Sequence, residues 1–216
     1  MAKILVLAGV NGAGRSSLLG AMLAEDGTVW FDPDAFTRRL VECGWPQDEA
    51  NATAWQEGVR RLRAAMANDV DYAFETTLGA NTIPALLREA CARQHEVSLW
   101  FCGLESIELH LQRVAGRVAG RVANGGHDIP EGKIRQRFDS SRLNLIALLP
   151  HLTALHLYDN SRAADADGRV EPLLVLEVER GRILCPTTRE EFTQVPGWAK
   201  PIVWAALKAF PVTTDD

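Results

Sequence analysis

The chain reads as an α/β domain in which a mainly parallel sheet is covered by helices, and three observations predict it. Short apolar runs bounded by turn residues alternate with amphipathic stretches along the first three quarters of the chain, the pattern of strands that return through helices. The first run ends at Ala8 and leads through "GVNGAGRSS" into an amphipathic segment, the strand, glycine-rich loop and helix order of a phosphate-binding loop. At 216 residues, 47% apolar and 24% charged, the chain is long enough to fill one core and has no linker that would split it.

Each element has its own signal. Ile4 to Ala8 is the first strand and Arg15 to Ala24 the helix after the loop. Thr28 to Phe31 reads as a short strand, Asp34 to Cys43 and Trp55 to Asn68 as helices, and Tyr72 to Phe74 as a strand. Thr82 to Arg93 is a helix starting near Pro84, where proline suits a first turn. Val97 to Cys102 is a buried strand, Ser106 to Val122 and Ile134 to Leu148 are long helices, and Leu155 to Tyr158 is a strand. Beyond Asn160 the character changes: "RAADADGR" is a polar loop and "LLVLEVERGRILCP" a hairpin turning at Arg180 and Gly181. A last helix lies near Gly197 to Phe210. The expected division is a domain over residues 1–161 with a helical lid around 113–142, and a C-terminal hairpin and helix appendage over 162–216 packed on the same domain.

Composition narrows the function. A net charge of −5 argues against a nucleic-acid binder, which would carry a basic excess. The opening "MAKILVLAGV" meets glycine too early for a signal or membrane span, so the expected place is the cytoplasm, without a membrane partner. Cys43, Cys91, Cys102 and Cys185 are scattered without zinc spacing and read as reduced thiols.

Gly9, Gly14, Arg15 and Ser16 match the phosphate-loop pattern except that arginine replaces lysine. Gly9, Gly12 and Gly14 let backbone N–H groups turn inward, and the following helix adds its positive end. The nucleotide-binding set is therefore Gly9, Asn11, Gly12, Ala13, Gly14, Arg15, Ser16 and Ser17, with the Ser16 hydroxyl for Mg²⁺. Arg15 keeps the charge but offers a planar fork in place of a compact ammonium. An arginine-adapted kinase, a nucleotide binder without turnover and an inactivated copy all accommodate it.

The other strand ends supply acceptor residues. "WFDPDAF" places Asp32 and Asp34, and "YAFETTLG" places Glu75, Thr76 and Thr77, where an open α/β sheet borders its ligand crevice. Asp34 is the expected base for an attacking hydroxyl; the competing reading makes it the N-cap of a helix beginning at Ala35. Arg113, Arg117 and Arg121 recur every four residues and form one stripe. From 113 to 142, seven Arg or Lys face three Asp or Glu, a local charge of +4 that leaves −9 for the rest. Between these basic helices, "ANGGHDIP" reads as a hinge, so that Arg117, Arg121 and Arg135 could close over a triphosphate. A solvated helix pair is the alternative. His127 reads as a loop histidine without a second ligand, and Trp45 as a candidate stacking surface.

In this order, the phosphate loop, "FDPDAF", "FETTL", "LWFCGLESIELHLQRVAGRVAGRVANGGHDIP" and "IRQRF" with "LYDNS" resemble the zeta-toxin family of P-loop kinases over roughly residues 3 to 161. The resemblance implies a kinase-like P-loop fold, and ATP or GTP with Mg²⁺. It implies phosphorylation of the 3′-hydroxyl of the amino sugar in UDP-N-acetylglucosamine or a related nucleotide sugar, and a small antitoxin as partner. On the same basis Asp34 matches the acceptor-side base, Glu75 and Thr77 match acceptor-binding positions, and the arginines around Arg121 and Arg135 match the phosphate-sensing lid. Arg15 departs from the family's lysine. The expected catalytic set is thus Asp34, Arg15, Arg121 and Arg135, with Asp32, Glu75, Thr76, Thr77 and Arg117 on the acceptor. The alternative is a nucleotide-binding interaction protein that transfers no phosphoryl group.

Overall fold

The computed structural model describes residues 1–15, 29–122, 130–162 and 171–212, with backbone alone over 117–122. Most of the expected 15–24 helix, the glycine hinge with His127 and the polar loop after Arg162 lie outside the described residues.

Strand β1 (Lys3–Ala8) alternates as a half-buried strand should. Ile4, Val6 and Ala8 enter the main core, whereas Leu7 joins Cys102 and Leu104 on the opposite face. On either side, β2 (Tyr72–Thr76) and β3 (Glu96–Gly103) pair with β1 in parallel, and β4 (Ala154–Asp159) pairs in parallel with β3. Two antiparallel strands, β5 (Leu173–Glu179) and β6 (Arg182–Cys185), complete the order β2-β1-β3-β4-β5-β6. The described helices are α1 (Pro33–Glu42), α2 (Gln47–Asn68), α3 (Thr82–Ala92), α4 (Ile107–Val122), α5 (Glu131–Leu148), α6 (Arg189–Gln194) and α7 (Lys200–Ala209). This is the expected α/β architecture.

The connections place the crevice. The chain goes from β1 to its neighbour β2, then through α3 over to β3 on the other side of β1. Loops leaving the carboxyl ends therefore diverge around β1, where ligands bind in open α/β sheets. Register brings those ends level, with Ala8 opposite both Thr76 and Phe101, and Gly103 opposite Asp159.

Two elements differ from expectation. Helix α2 begins at Gln47, well before Trp55. Its first half packs through the buried small residues Ala50, Ala54 and Gly58, too small to read as an apolar stripe; a Cβ on Gly58 would stand 3.2 Å from the Phe31 ring. Within the expected 28–31 strand, Phe31 makes an isolated bridge to Phe74. The C-terminal segment packs into the same core. Its hairpin, turning through Arg180 (φ 46) and Gly181 (φ 75), extends the main sheet, and Trp198, Ile202 and Ala206 lie in the main core. Helix α6 starts from a capping box between Thr188 and Glu191.

Candidate active site

The glycines of the loop are dictated by space and by backbone. Gly9 has φ +140, and a Cβ there would lie 2.2 Å from the Cys102 carbonyl oxygen of the neighbouring strand. Gly14 has φ +93, and a Cβ would meet Asn160 Nδ2 at 2.5 Å. No L side chain fits either position.

The loop is gripped from several elements. The Ala13 carbonyl accepts from Cys102 Sγ (3.0 Å) on β3 and from Asn160 Nδ2 (2.8 Å) just after β4. His110 of α4 sets its Nδ1 2.9 Å from the Asn11 carbonyl, and Arg137 of α5 donates from Nη1 to Asn11 Oδ1 at 2.8 Å. These contacts fix the loop before any ligand arrives. Burial pushes His110 down to about 4, partly opposed by its bond to Asn11 and assisted by the nearby Arg113, Arg142 and Arg15 charges. Burial pushes the Cys102 thiol up to about 12. Both are therefore neutral near pH 7.

Arg15 has a different setting from a phosphate-loop lysine. Its Nη1 donates to the Gly9 carbonyl and to the Thr76 carbonyl (2.8 Å), and its Nε lies 3.8 Å from Glu75 Oε2. Glu75 in turn accepts from Trp30 Nε1 at 2.8 Å. The side chains of Arg15 and Glu75 are only 10% and 3% exposed.

Beside the loop lies a cleft of about 580 Å³ whose lining includes Trp55, Glu75, Thr77, Lys133, Arg137 and Ser140. Glu75 and Thr76 come from the end of β2, and the turn after it is tight: Leu78 has φ 56, with the Thr76 hydroxyl accepting from Leu78 N (3.0 Å) and the Thr77 hydroxyl from Gly79 N (3.4 Å). Helix α5 holds that turn, Asn144 Nδ2 donating to the Leu78 carbonyl and Ser140 Oγ to the Gly79 carbonyl, both at 2.8 Å. Trp55, 49% exposed, lines this cleft with Phe31 and Val59; Trp45, the expected stacking residue, is not in its lining.

The expected residues separate into those brought together and those placed elsewhere. Asp32, not Asp34, is the N-cap of α1, its Oδ1 accepting from Asp34 N at 2.8 Å. Asp34 stands exposed in the first turn beside Pro33, which lines the cleft. Its charge reaches Arg137: burial and the Arg15 charge pull Arg137 below the usual arginine value, and Asp34 works against them. Arg135 stands apart from the cleft lining. It is half exposed on the outer side of α5, paired with Glu131 (2.5 Å) and Glu108 (3.7 Å), because two residues along a helix turn a side chain to the opposite side. Arg137 occupies the inward position instead. Ser16 and Ser17, and the side chains of Arg117 and Arg121, lie outside the described residues. Arg113 donates to the Arg162 carbonyl at 3.4 Å.

Among known proteins, no family model matches the chain. An uncharacterized protein of Haemophilus influenzae is 25% identical over 139 residues, which is 63% of this chain and 92% of the relative. A chain in the crystal structure of AvrRxo1-ORF1:-ORF2 with ATP superposes with a TM-score of 0.64 at 17% identity over 92% of this chain. The match spans 64% of the length of that neighbour. A chain of the PezAT chromosomal toxin-antitoxin system of Streptococcus pneumoniae superposes with a TM-score of 0.54 at 16% identity, covering 96% of this chain and 84% of its own. What these structures share with the chain is the fold, a mainly parallel α/β sheet covered by helices, as the sequence predicts.

Proposed function

We propose that this chain transfers the terminal phosphoryl group of ATP or GTP to a hydroxyl of a small molecule bound in the 580 Å³ cleft. The observation that carries the reading is that Arg137 touches the phosphate loop through Asn11 and lines the cleft as well, so donor and acceptor sites meet at one cation. The ATP present with the AvrRxo1 neighbour supports the nucleotide.

In this reading the loop amides between Gly9 and Arg15 hold the phosphates, and Arg137 faces the charge that spreads over the transferred group. The acceptor oxygen forms a bond to the γ-phosphorus while the bond to the bridging β-γ oxygen breaks, and the hydroxyl proton passes to Asp34. Glu75, Thr76 and Thr77, which close the end of β2, orient the acceptor from the floor of the cleft. Mg²⁺, which binds through one or two protein oxygens together with phosphate oxygens, would be held by Ser16 and would neutralise charge on the nucleotide. The loop of residues with Gly9, Gly12 and Gly14 at positive φ suits such an anionic ligand. Helices α4 and α5 act as the lid over 113–142. The site works in the cytoplasm on a nucleotide sugar such as UDP-N-acetylglucosamine. A small antitoxin is the protein partner; the neighbours from the PezAT toxin-antitoxin system and from the AvrRxo1-ORF1:-ORF2 crystal structure support that part.

A second reading, nucleotide binding without transfer, is favoured by the docking of Arg15 on backbone carbonyls. One experiment separates the two. Incubation with labelled ATP and a panel of nucleotide sugars, followed by mass spectrometry, yields a phosphorylated sugar and ADP on the first reading. On the second it yields neither while ATP still binds.

A further inference from the structure

Register makes Ala8 and Thr76 the last pair of the β1 and β2 ladder. One residue further, Gly9 leaves β1 with a carbonyl that has passed the end of the ladder, and Thr76 presents its own carbonyl at the end of β2. Arg15 Nη1 donates to both of these oxygens, which adds a rung made of a side chain beyond the last backbone pair. On the other side of the guanidinium, Nε lies 3.8 Å from the Glu75 carboxylate, and Glu75 lines the cleft. This pairing is shielded, with both side chains nine-tenths buried or more. A guanidinium presents donors along a rigid fork, whereas a lysine ammonium has a single nitrogen. A lysine nitrogen has donors enough for the two carbonyls, but it has no second nitrogen such as the Nε that faces Glu75.

We infer that Arg15 is a positioning residue: it ties the phosphate loop to the end of β2 and holds Glu75 in place for the acceptor, while the loop amides and Arg137 face the phosphates. This inference rests on the proposed phosphotransferase reading for its acceptor role, yet the tie itself can be read without turnover. It explains the replacement of lysine by arginine as a change of task. The loop's cation becomes a brace between the donor and acceptor halves of the site.

Trp30 provides the reporter, because its Nε1 donates to Glu75 at 2.8 Å. The experiment records the indole N–H resonance of Trp30, assigned with Trp30→Phe, in the full chain and in the Arg15→Lys and Arg15→Ala variants. Mg·ATP affinity of the same three proteins is measured by calorimetry. The expected result is that both variants move the Trp30 resonance and that their ATP affinities differ from each other by less than about tenfold. An unmoved Trp30 resonance in the folded lysine variant overturns the inference. So does a lysine variant that binds Mg·ATP more than about tenfold tighter than the alanine variant, since the charge would then be acting on phosphate. Should Arg15→Ala fail to fold, the lysine variant against the parent decides through the Trp30 resonance. If the parent protein itself binds no Mg·ATP, the phosphotransferase reading falls and the Trp30 resonance still judges the brace.

Discussion

Arg137 donates from Nη1 to the side-chain oxygen of Asn11 at 2.8 Å, which joins helix α5 to the glycine-rich loop through a residue that also lines the 580 Å³ cleft. Asn11 is held a second time by His110 through its carbonyl. Asn11 thus meets both α4 and α5.

Truncating Arg137 should therefore remove charge stabilisation at the transferred group. Arg137→Ala is expected to lower transfer by about a hundredfold to a thousandfold, the usual loss of one preorganised donor. Arg135→Ala, which breaks exposed pairs with Glu131 and Glu108, should change the rate by less than about fivefold, since such pairs are worth under about 1 kcal/mol. Initial rates of ADP formation with a nucleotide sugar supplied check the contrast. Equal losses in both variants would return Arg135 to the site.

The difference between these two arginines marks where the sequence was legible. The alternation of strands and helices follows from backbone periods of 2 and 3.6, and the strands β1 to β4 with helices α4 and α5 appear where that periodicity puts them. The inward position of Arg137 was also available. It lies three residues after the buried Ile134 and four before the buried Ser141, on the stripe that continues to Leu145 and Leu148. Arg135 falls off that stripe. By contrast, the grip of Cys102 and Asn160 on the Ala13 carbonyl joins residues 89 and 147 positions away, and no local pattern encodes such a meeting. The start of α2 was hidden for another reason, because alanine and glycine carry its packing face.

Gly9 and Gly44 separate steric collision from backbone strain. Both have positive φ, but a Cβ on Gly9 would lie 2.2 Å from the Cys102 carbonyl while nothing lies within 4 Å of one on Gly44. Gly44→Ala should cost about 1 kcal/mol, the strain alone, and Gly9→Ala about 3 kcal/mol or more. For a chain of this size those losses lower the melting temperature by about 2–4 °C and by at least about 6–12 °C. Differential scanning calorimetry reads both. A Gly9→Ala protein as stable as Gly44→Ala would refute the close approach of the loop to β3.

His110 predicts a pH dependence with a defined sign. Its value falls from 6.5 to about 4, chiefly through burial, so the folded protein prefers the neutral ring. Above about pH 7 both folded and unfolded chains hold it neutral and it contributes no slope. As pH falls toward 4 the unfolded chain takes up a proton that the folded chain refuses, and stability drops by about 3 kcal/mol at most. By pH 5 the loss is about 2 kcal/mol. His156, also lowered by burial, acts in the same sense, while Glu57, pulled to about 2 by hydrogen bonds from Arg60 and Arg61, acts only below its ordinary value of 4.5. Urea unfolding of the parent and of His110→Asn at about pH 7.5 and 5 isolates His110. The variant should lose about 2 kcal/mol less between the two conditions; an unchanged difference would place the burial of this ring in error.

Asp34 carries the last prediction, and its surroundings decide how the test is built. The carboxylate sits exposed in the first turn of α1, next to the cleft-lining Pro33, with its charge felt by Arg137. The capping of that helix is done by Asp32. Asp34→Asn therefore removes the proposed proton acceptor and keeps the cap, at the cost of a helix-dipole interaction of about 0.3–1 kcal/mol. The expected outcome is a folded protein with Mg·ATP affinity nearly intact and transfer lowered by about two to four orders of magnitude. Asp32→Asn is the companion, because asparagine caps as well as aspartate and should leave transfer within about tenfold of the parent. Reversal of the two results would make Asp32 the base. Transfer near the parent rate in both would move the role to Glu75, whose carboxylate lines the same cleft but is held by Trp30 and Arg15; Glu75→Gln, measured alongside with the same nucleotide sugar, would then carry the loss.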